Sequence, residues 1–410
     1  MELFDVSRQL SLHPNAPMEA YAGEWLQLLI RWVHLITGIA WIGSSFYFVW
    51  LDNTLLPPND GFGAEQGVGG EVWAVHGGGF YHVQKLRGAP AVLPEPLHWF
   101  KWEAYWTWMS GLALLVVMYY AHADIYLVDR TVANVSPLQA VGISVALLAA
   151  GWVFYDQLCK RLGLEREKTL AATMVAFVIA VAWGLSHLFP GRALYMEIGA
   201  MLGTIMAANV FFVIIPSQRK LVEAKERGVA PDPVYGQRGK QRSVHNNYFT
   251  LPVLFVMISN HYPITWGHPR AWLVLVAILL LAAYVRHFFN LRHKGRTIWA
   301  IPVTAALGAL VLAIAIAPAK PQAVAVPGLA DVQRIVSARC AACHAERPTH
   351  EGFAVAPKGI LLDSAERIRV NAEKIRQQSV ATRAMPIGNL TGMTDAERAT
   401  LGAWIAAGAP

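Results

Sequence analysis

The sequence predicts an all-α protein in two parts, an eight-helix transmembrane bundle followed by a small helical domain at the C-terminal end. Composition is the first observation behind this prediction. Of the 410 residues, 55% are hydrophobic and only 15% are charged, which is too apolar for an ordinary soluble protein. The second is the recurrence of long apolar runs up to residue 317. The third is the change of pattern after residues 318–328, a linker rich in Ala, Pro and Val.

Eight apolar runs precede the linker. The hydrocarbon core of a bilayer is about 30 Å thick, so a helix that crosses it needs about 20 apolar residues. The sixth run is the least regular, because it is short and contains Pro252 and Asn260. The first is too long for the apolar segment of a cleavable signal peptide, so we expect it to remain as a span. The predicted spans are residues 25–51, 104–122, 139–158, 170–189, 194–215, 247–263, 271–289 and 298–317.

The loops between these spans differ in their content of basic residues. One set of loops carries 17 Lys and Arg, and the opposite set carries four. Because basic loops face the cytoplasm, both chain ends and the C-terminal domain are predicted to lie outside, in the periplasm if the membrane is a bacterial inner membrane. The net charge of +7 then comes mostly from cytoplasmic loops, and it does not indicate a nucleic-acid partner.

Within residues 329–410, Cys340, Cys343 and His344 form a Cys-x-x-Cys-His motif. This spacing is typical of covalent haem c attachment, in which both cysteines form thioethers and the histidine binds the iron. A zinc half-site or a redox dithiol would need a second cysteine pair or a thioredoxin-like context, and the remaining cysteine, Cys159, supplies neither. The segment is therefore predicted to be a small class I cytochrome c, with helices at residues 331–341, 364–378 and 394–407.

Two methionines are candidates for the second axial ligand, since a Met thioether commonly partners His in such domains. Met385 is favoured, because it precedes Pro386 in an irregular loop from which a side chain can reach a buried iron. Met393 is expected to pack at the start of the last helix. Thr394 and Glu397 have the spacing of a capping box and mark that start.

Histidines in or near the spans are functional candidates, because ionisable residues are costly in a membrane. His34 lies in the first span, and Gly38 and Ser45 share its face. A flat macrocycle would fit this face, so His34 is a candidate ligand of a b-type haem. The alternative is a histidine bonded to a neighbouring helix, with small residues for packing. His187 and His261 are candidates for the second ligand, and the sequence does not choose between them.

A second polar group is predicted on the cytoplasmic side. Three consecutive glycines follow His76 and precede His82 and Lys85 in the sequence. Such glycines let a backbone approach a ligand closely. His98 and Glu103 follow in an aromatic stretch. The ending of a phosphate loop is absent, and the alternative is a flexible loop at the membrane interface.

The sixth span begins with polar residues. His245 and Asn246 open the sequence His-Asn-Asn-Tyr-Phe-Thr-Leu-Pro. Such polar density in a short helix that contains proline is unusual, and broken helices at membrane depth tend to line cavities. We therefore expect these residues to face a ligand.

Four of these segments resemble the bacterial membrane-bound urate hydroxylases. They are the segment His-Leu-Ile-Thr-Gly-Ile-Ala-Trp-Ile-Gly from His34, the loop Gly-Gly-Gly-Phe-Tyr, the segment Leu-His-Trp-Phe-Lys-Trp-Glu-Ala-Tyr from Leu97, and the segment from His245. The resemblance covers nearly the whole chain and implies an eight-helix membrane domain, residues 1–317, fused to a cytochrome c. It also implies oxidation of urate to 5-hydroxyisourate in purine degradation. Electrons would pass to cytochrome c instead of O₂, so no hydrogen peroxide would form.

Urate is a planar anion, so its site needs aromatic rings, hydrogen-bond donors and a base. Electrons are expected to pass through a membrane haem near His34 to haem c, and then to a soluble cytochrome c or a terminal oxidase. The alternative is a b/c-type electron-transfer cytochrome linked to quinol, which needs a lipid-facing quinone pocket instead of a soluble-substrate site. The residues predicted to be catalytic are His76, His82, Lys85, His98, Glu103, His245 and Asn246.

Overall fold

Helices form most of the regular structure in a computed structural model of the chain. The structure describes residues 18–58, 67–88, 90, 92–317, 326–350, 353 and 355–410, so most of the predicted linker lies outside the described residues. The elements up to residue 226 are α1 (Met18–Thr54), β1 (Val68–His76), β2 (Gly79–Leu86), α2 (Trp102–Leu114), α3 (Ala123–Tyr126), α4 (Pro137–Leu162), α5 (Glu167–Leu185), α6 (Gly191–Asn209) and α7 (Ile215–Glu226). They are followed by α8 (Pro233–Ser259), α9 (Pro263–Trp266), α10 (Ala271–His293), α11 (Ala300–Ala315), α12 (Leu329–Arg339), α13 (Ala365–Val370), α14 (Ala372–Ile375) and α15 (Asp395–Ala406).

Every predicted span falls on helix, and five helices within the described ranges are long and apolar enough to cross a membrane. This supports a membrane protein. The other three runs fall on α2, α8 and α11. Helix α11 has 16 residues, α2 has 13 before it continues as a π-helix, and α8 carries many polar residues. The number of eight spans therefore stays a prediction.

A β-hairpin stands where the sequence predicted a glycine-rich loop, and it departs from the all-α prediction. Strands β1 and β2 pair antiparallel, with His76 opposite Gly79. Gly77 and Gly78 have φ angles of +56° and +79°. A two-residue turn between strands requires positive φ at both positions, which glycine adopts without strain. The glycines thus close a hairpin.

Helix α6 is the centre of the bundle. Its Tyr195, Ile198, Met201 and Ile205 are fully buried. Small residues allow its neighbours to approach, since a Cβ at Gly151 of α4 would lie 2.6 Å from the Met201 side chain. Helix α1 is peripheral by contrast, and most of its side chains are exposed or half-buried.

The C-terminal domain has its own core of apolar side chains, including Val332, Leu401 and Trp404. The predicted capping box is confirmed, because Thr394 and Glu397 exchange hydrogen bonds at the start of α15. The predicted helix over 364–378 is interrupted at Asn371, whose side-chain amide donates to the carbonyl of Arg367 at 2.8 Å. Such local side-chain bonds compete with helix continuation.

The bundle has two chemically different ends. The basic end is formed where α4, α5 and α8 meet, around Lys160, Lys168 and Arg242. The docked end is formed by α3, residues 189–192 and residues 266–270. The C-terminal domain packs on the docked end, where a Cβ at Gly388 would lie 3.1 Å from the carbonyl oxygen of Val128.

Candidate functional site

Four consecutive polar side chains of α8 make contacts on all sides of the helix. Successive residues of a helix are rotated by about 100°, so residues 245–248 point in four directions. Their side chains contact α4, α5, α6 and α10, and no two of them share a partner residue. The contacts join His245 to Tyr155 and Glu167, Asn246 to Met206 and Asn209, Asn247 to Arg286, and Tyr248 to His287.

His245 links α4 and α5 to α8. Its Nε2 is 3.0 Å from Oε2 of Glu167, and its Nδ1 is 2.7 Å from the hydroxyl of Tyr155. Because a carboxylate only accepts, Nε2–H donates to Glu167 and Nδ1 accepts from Tyr155. Burial lowers the pKa of His245, and the Glu167 carboxylate opposes this shift. His245 and Glu167 also line a 390 Å³ cavity at the basic end.

Two arginines are buried in this part of the bundle, and they differ in their partners. Arg242 donates to the carboxylate of Asp156 at 2.8 Å and to Asn209 at 3.2 Å. Arg286 is 3% exposed and donates through Nε to the amide oxygen of Asn247 at 2.8 Å. Its guanidinium lies 4.0 Å from the ring centroid of Phe46 on α1. No carboxylate in the described part of the chain forms an ion pair with Arg286.

Arg286 was missed by the sequence predictions. It lies within the predicted span 271–289, and an ionisable residue in a span is a functional candidate by default. The same rule that selected His34 therefore applies to Arg286.

The predicted catalytic residues of the hairpin are engaged locally. His76 is exposed at the turn, and His82 pairs with Glu71 at 2.9 Å while stacking on Trp73. Lys85 forms an ion pair of 2.5 Å with Asp52 at the end of α1.

The remaining candidates are separate from the hairpin group. His98 is exposed and packs edge-on against Phe100, and Glu103 is half-buried in the first turn of α2. Asn246 is buried against α6. Across the described ranges, the partners of the hairpin residues and those of His245 and Asn246 have no residue in common. The predicted grouping of all seven residues stays a prediction.

The histidines predicted to bind a membrane haem lie at different depths. His34 is near the middle of α1, and its Nδ1–H donates to the carbonyl of Thr107 at 3.0 Å. This contact is the neighbouring-helix bond that the sequence left open as an alternative. His187 and His261 lie at the docked end, just after α5 and α8. A b-type haem stays a prediction.

The Cys-x-x-Cys-His residues keep the groups that a covalent haem would use. Nδ1–H of His344 donates to the carbonyl of Ile360 at 2.9 Å, which leaves Nε2 free to bind a metal. Cys340 and Cys343 are free thiols on the turn that ends α12. The residues present therefore fit a covalently attached haem.

The two methionines of this domain have different environments. Met393 is 4% exposed and belongs to the apolar core. Met385 is half-buried, and its carbonyl accepts from Arg398 at 2.7 Å. Met385 thus remains the candidate for the second axial ligand. In the described ranges, no group of three or more His, Cys, Asp and Glu residues is placed to bind a metal ion.

A 630 Å³ cavity lies between the C-terminal domain and the docked end. Membrane-domain residues such as His187, Arg192 and Trp266 line one side, and Met393 and Arg398 line the other. The cavity therefore adjoins the loop that carries Met385.

The helices define a protein with several segments able to span a membrane and a polar segment buried between them. Residues 20–317 match the family described as urate oxidase N-terminal. The chain belongs to this family, which indicates an oxidoreductase with a urate-related function. No curated protein and no solved structure matches the chain.

Proposed function

We propose that the protein is a membrane-bound urate hydroxylase that transfers the electrons of urate to a haem c in its own C-terminal domain. The observation that carries the proposal is the joining of a urate oxidase N-terminal domain to a Cys-x-x-Cys-His motif whose His344 has Nε2 free. The proposal places the C-terminal domain in the periplasm of a bacterial cell. A soluble cytochrome c or a terminal oxidase then accepts the electrons.

The reaction balances with water as the source of oxygen. Urate gives up two electrons, water adds at C5, and two protons are released, so the product is 5-hydroxyisourate. Neither O₂ nor hydrogen peroxide takes part. The protein has to bind an anion, exclude competing reactions and accept protons. The polar residues of α8 and α10 include cationic, hydrogen-bonding and basic side chains that suit these tasks.

Cys340, Cys343 and His344 would hold the haem, with Met385 as the second ligand. The bound haem supplies an acceptor of one electron at a time. The Ile360 carbonyl fixes the ring orientation of His344, and such a bond increases the basicity of a metal-binding histidine.

An anaerobic optical spectrum tests the proposal. Urate added to the oxidised, purified protein is expected to produce the absorption bands of reduced c-type haem. Cys343→Ala is expected to lose covalent haem, whereas Cys159→Ala, which changes the cysteine outside the motif, is expected to retain it. If dithionite reduces the haem and urate does not, the proposal is wrong and the quinol-linked alternative takes its place.

A further inference from the structure

Unpaired buried polar atoms are concentrated in one part of the bundle. Five such side-chain atoms occur in the described part of the chain, and four belong to α8 and α10. The fifth, Oε1 of Glu197, lies apart on α6. The four are Nδ2 of Asn247, Nη2 of Arg286, Oδ1 of Asn290 and Nδ1 of His293.

Three of the four residues lie on one face of α10, and the fourth contacts that face from α8. Arg286, Asn290 and His293 are spaced i, i+4 and i+7, so they lie on one face of α10. Asn247 of α8 faces the same surface, because its amide oxygen accepts from Nε of Arg286. A buried polar atom without a partner is unfavourable, so this concentration of unpaired atoms on two contacting helices favours a bound ligand.

The charge at this surface specifies the kind of ligand. A buried cation without a partner is strongly unfavourable. Arg242 has a carboxylate partner in Asp156, whereas Arg286 contacts, among the described residues, a neutral amide and the ring of Phe46. A bound anion would therefore stabilise this surface.

The unpaired atoms also specify which hydrogen-bonding groups the ligand must carry on the edge that meets them. Arg286 and Asn247 offer donors, Asn290 offers an acceptor, and His293 has a ring nitrogen that can accept a proton. An oxypurine anion carries carbonyl oxygens, N–H groups and a delocalised negative charge along one planar edge. We propose that Arg286 and Asn247 bind the urate anion at this surface, an inference that rests on the proposed function.

This position shortens the path for the electrons. Fifteen residues of α10 separate Arg286 from Ala271 at the docked end, a distance of about 22 Å at 1.5 Å per residue. A site at the hairpin would lie farther from the C-terminal domain, because β1 follows the opposite end of α1.

Equilibrium binding of radiolabelled urate to the full-length protein tests the site. The haem is kept reduced with dithionite, so that bound urate cannot be oxidised. Arg286→Gln is expected to weaken binding by about 10- to 100-fold, the range for a charge-assisted hydrogen bond. Arg292→Gln removes the same charge from an exposed position on the same helix and is expected to bind as the wild type does.

A second variant supplies the missing anion from the protein itself. Asn247→Asp places a carboxylate beside Arg286, so it is expected to raise the melting temperature and abolish urate binding. Normal binding by both Arg286→Gln and Asn247→Asp would overturn the site. Failure of the wild type to bind urate or to be reduced by it would instead reject the proposed function. Circular dichroism and haem content identify a variant that has not folded.

Discussion

Arg398 connects the last helix of the C-terminal domain to the loop of Met385. It is 6% exposed, and its guanidinium donates to the carbonyls of Ser379 and Met385. An arginine whose donors are satisfied by backbone carbonyls fixes the path of the chain. Arg398 is therefore a positioning residue for the proposed ligand.

Arg398→Leu is expected to release this loop and weaken the iron binding that is proposed for Met385. Because a Met ligand raises the haem potential, the reduction potential should fall by at least about 59 mV, a tenfold change for a one-electron couple. Potentiometric titration measures it. Arg376→Leu, an exposed arginine paired with Glu373, is the control and should leave the potential unchanged. An unchanged potential in Arg398→Leu would show that Met385 is held by other contacts or is not the ligand.

At the scale of elements, the contact of α8 with α4 and α5 depends on a neutral histidine. His245 accepts from Tyr155 and donates to Glu167, and Arg242 lies close to Tyr155. Burial lowers the pKa of His245 below its ordinary value of 6.5. The unfolded chain therefore binds a proton more readily than the folded chain. The resulting stabilisation is complete above pH 6.5 and is lost as the pH falls through the folded-state pKa.

The melting temperature is accordingly expected to fall between pH 7.5 and pH 5.5, and His245→Gln should reduce that dependence. Each unit by which the pKa is lowered corresponds to about 1.4 kcal/mol. Thermal unfolding monitored by circular dichroism checks this, with His98→Gln as an exposed control. An equal pH dependence in wild type and His245→Gln would contradict the assignment.

The hairpin shows where sequence patterns are ambiguous at this scale. Consecutive glycines suit both a ligand-binding loop and a two-residue turn, because both use positive φ. The pairing of Val72 with Val83 and of Trp73 with His82 decides between them. Such cross-strand contacts join residues about ten positions apart, and helix periodicity does not reveal them.

At the scale of the whole molecule, docking of the C-terminal domain places it directly on the bundle. Gly267 lies against the carbonyl oxygen of Thr382, which an added Cβ would overlap. The domain could not approach as closely with any larger residue there.

Gly267→Ala is expected to separate the two domains and cost about 1–3 kcal/mol, the usual range for overpacking. Hydrogen exchange should increase in α3 and in residues 387–389, which pack together. Gly142→Ala is the control, since a Cβ at Gly142 meets nothing within 4 Å. Unchanged exchange in Gly267→Ala would mean that the docking does not depend on this contact.

The sequence by itself determined the apolar helices, the separate C-terminal domain and its Cys-x-x-Cys-His motif, because composition, run length and short spacing are local properties. It also determined the capping box at Thr394. Only the tertiary structure decided which buried charges have partners. Arg242 and Arg286 are both basic residues of helices, and their difference depends on Asp156, which is 86 positions from Arg242 in the chain. Pairing across helices is set by packing, so only the packing of α8 against α10 shows that Arg286 has an amide partner and, among the described residues, no carboxylate partner.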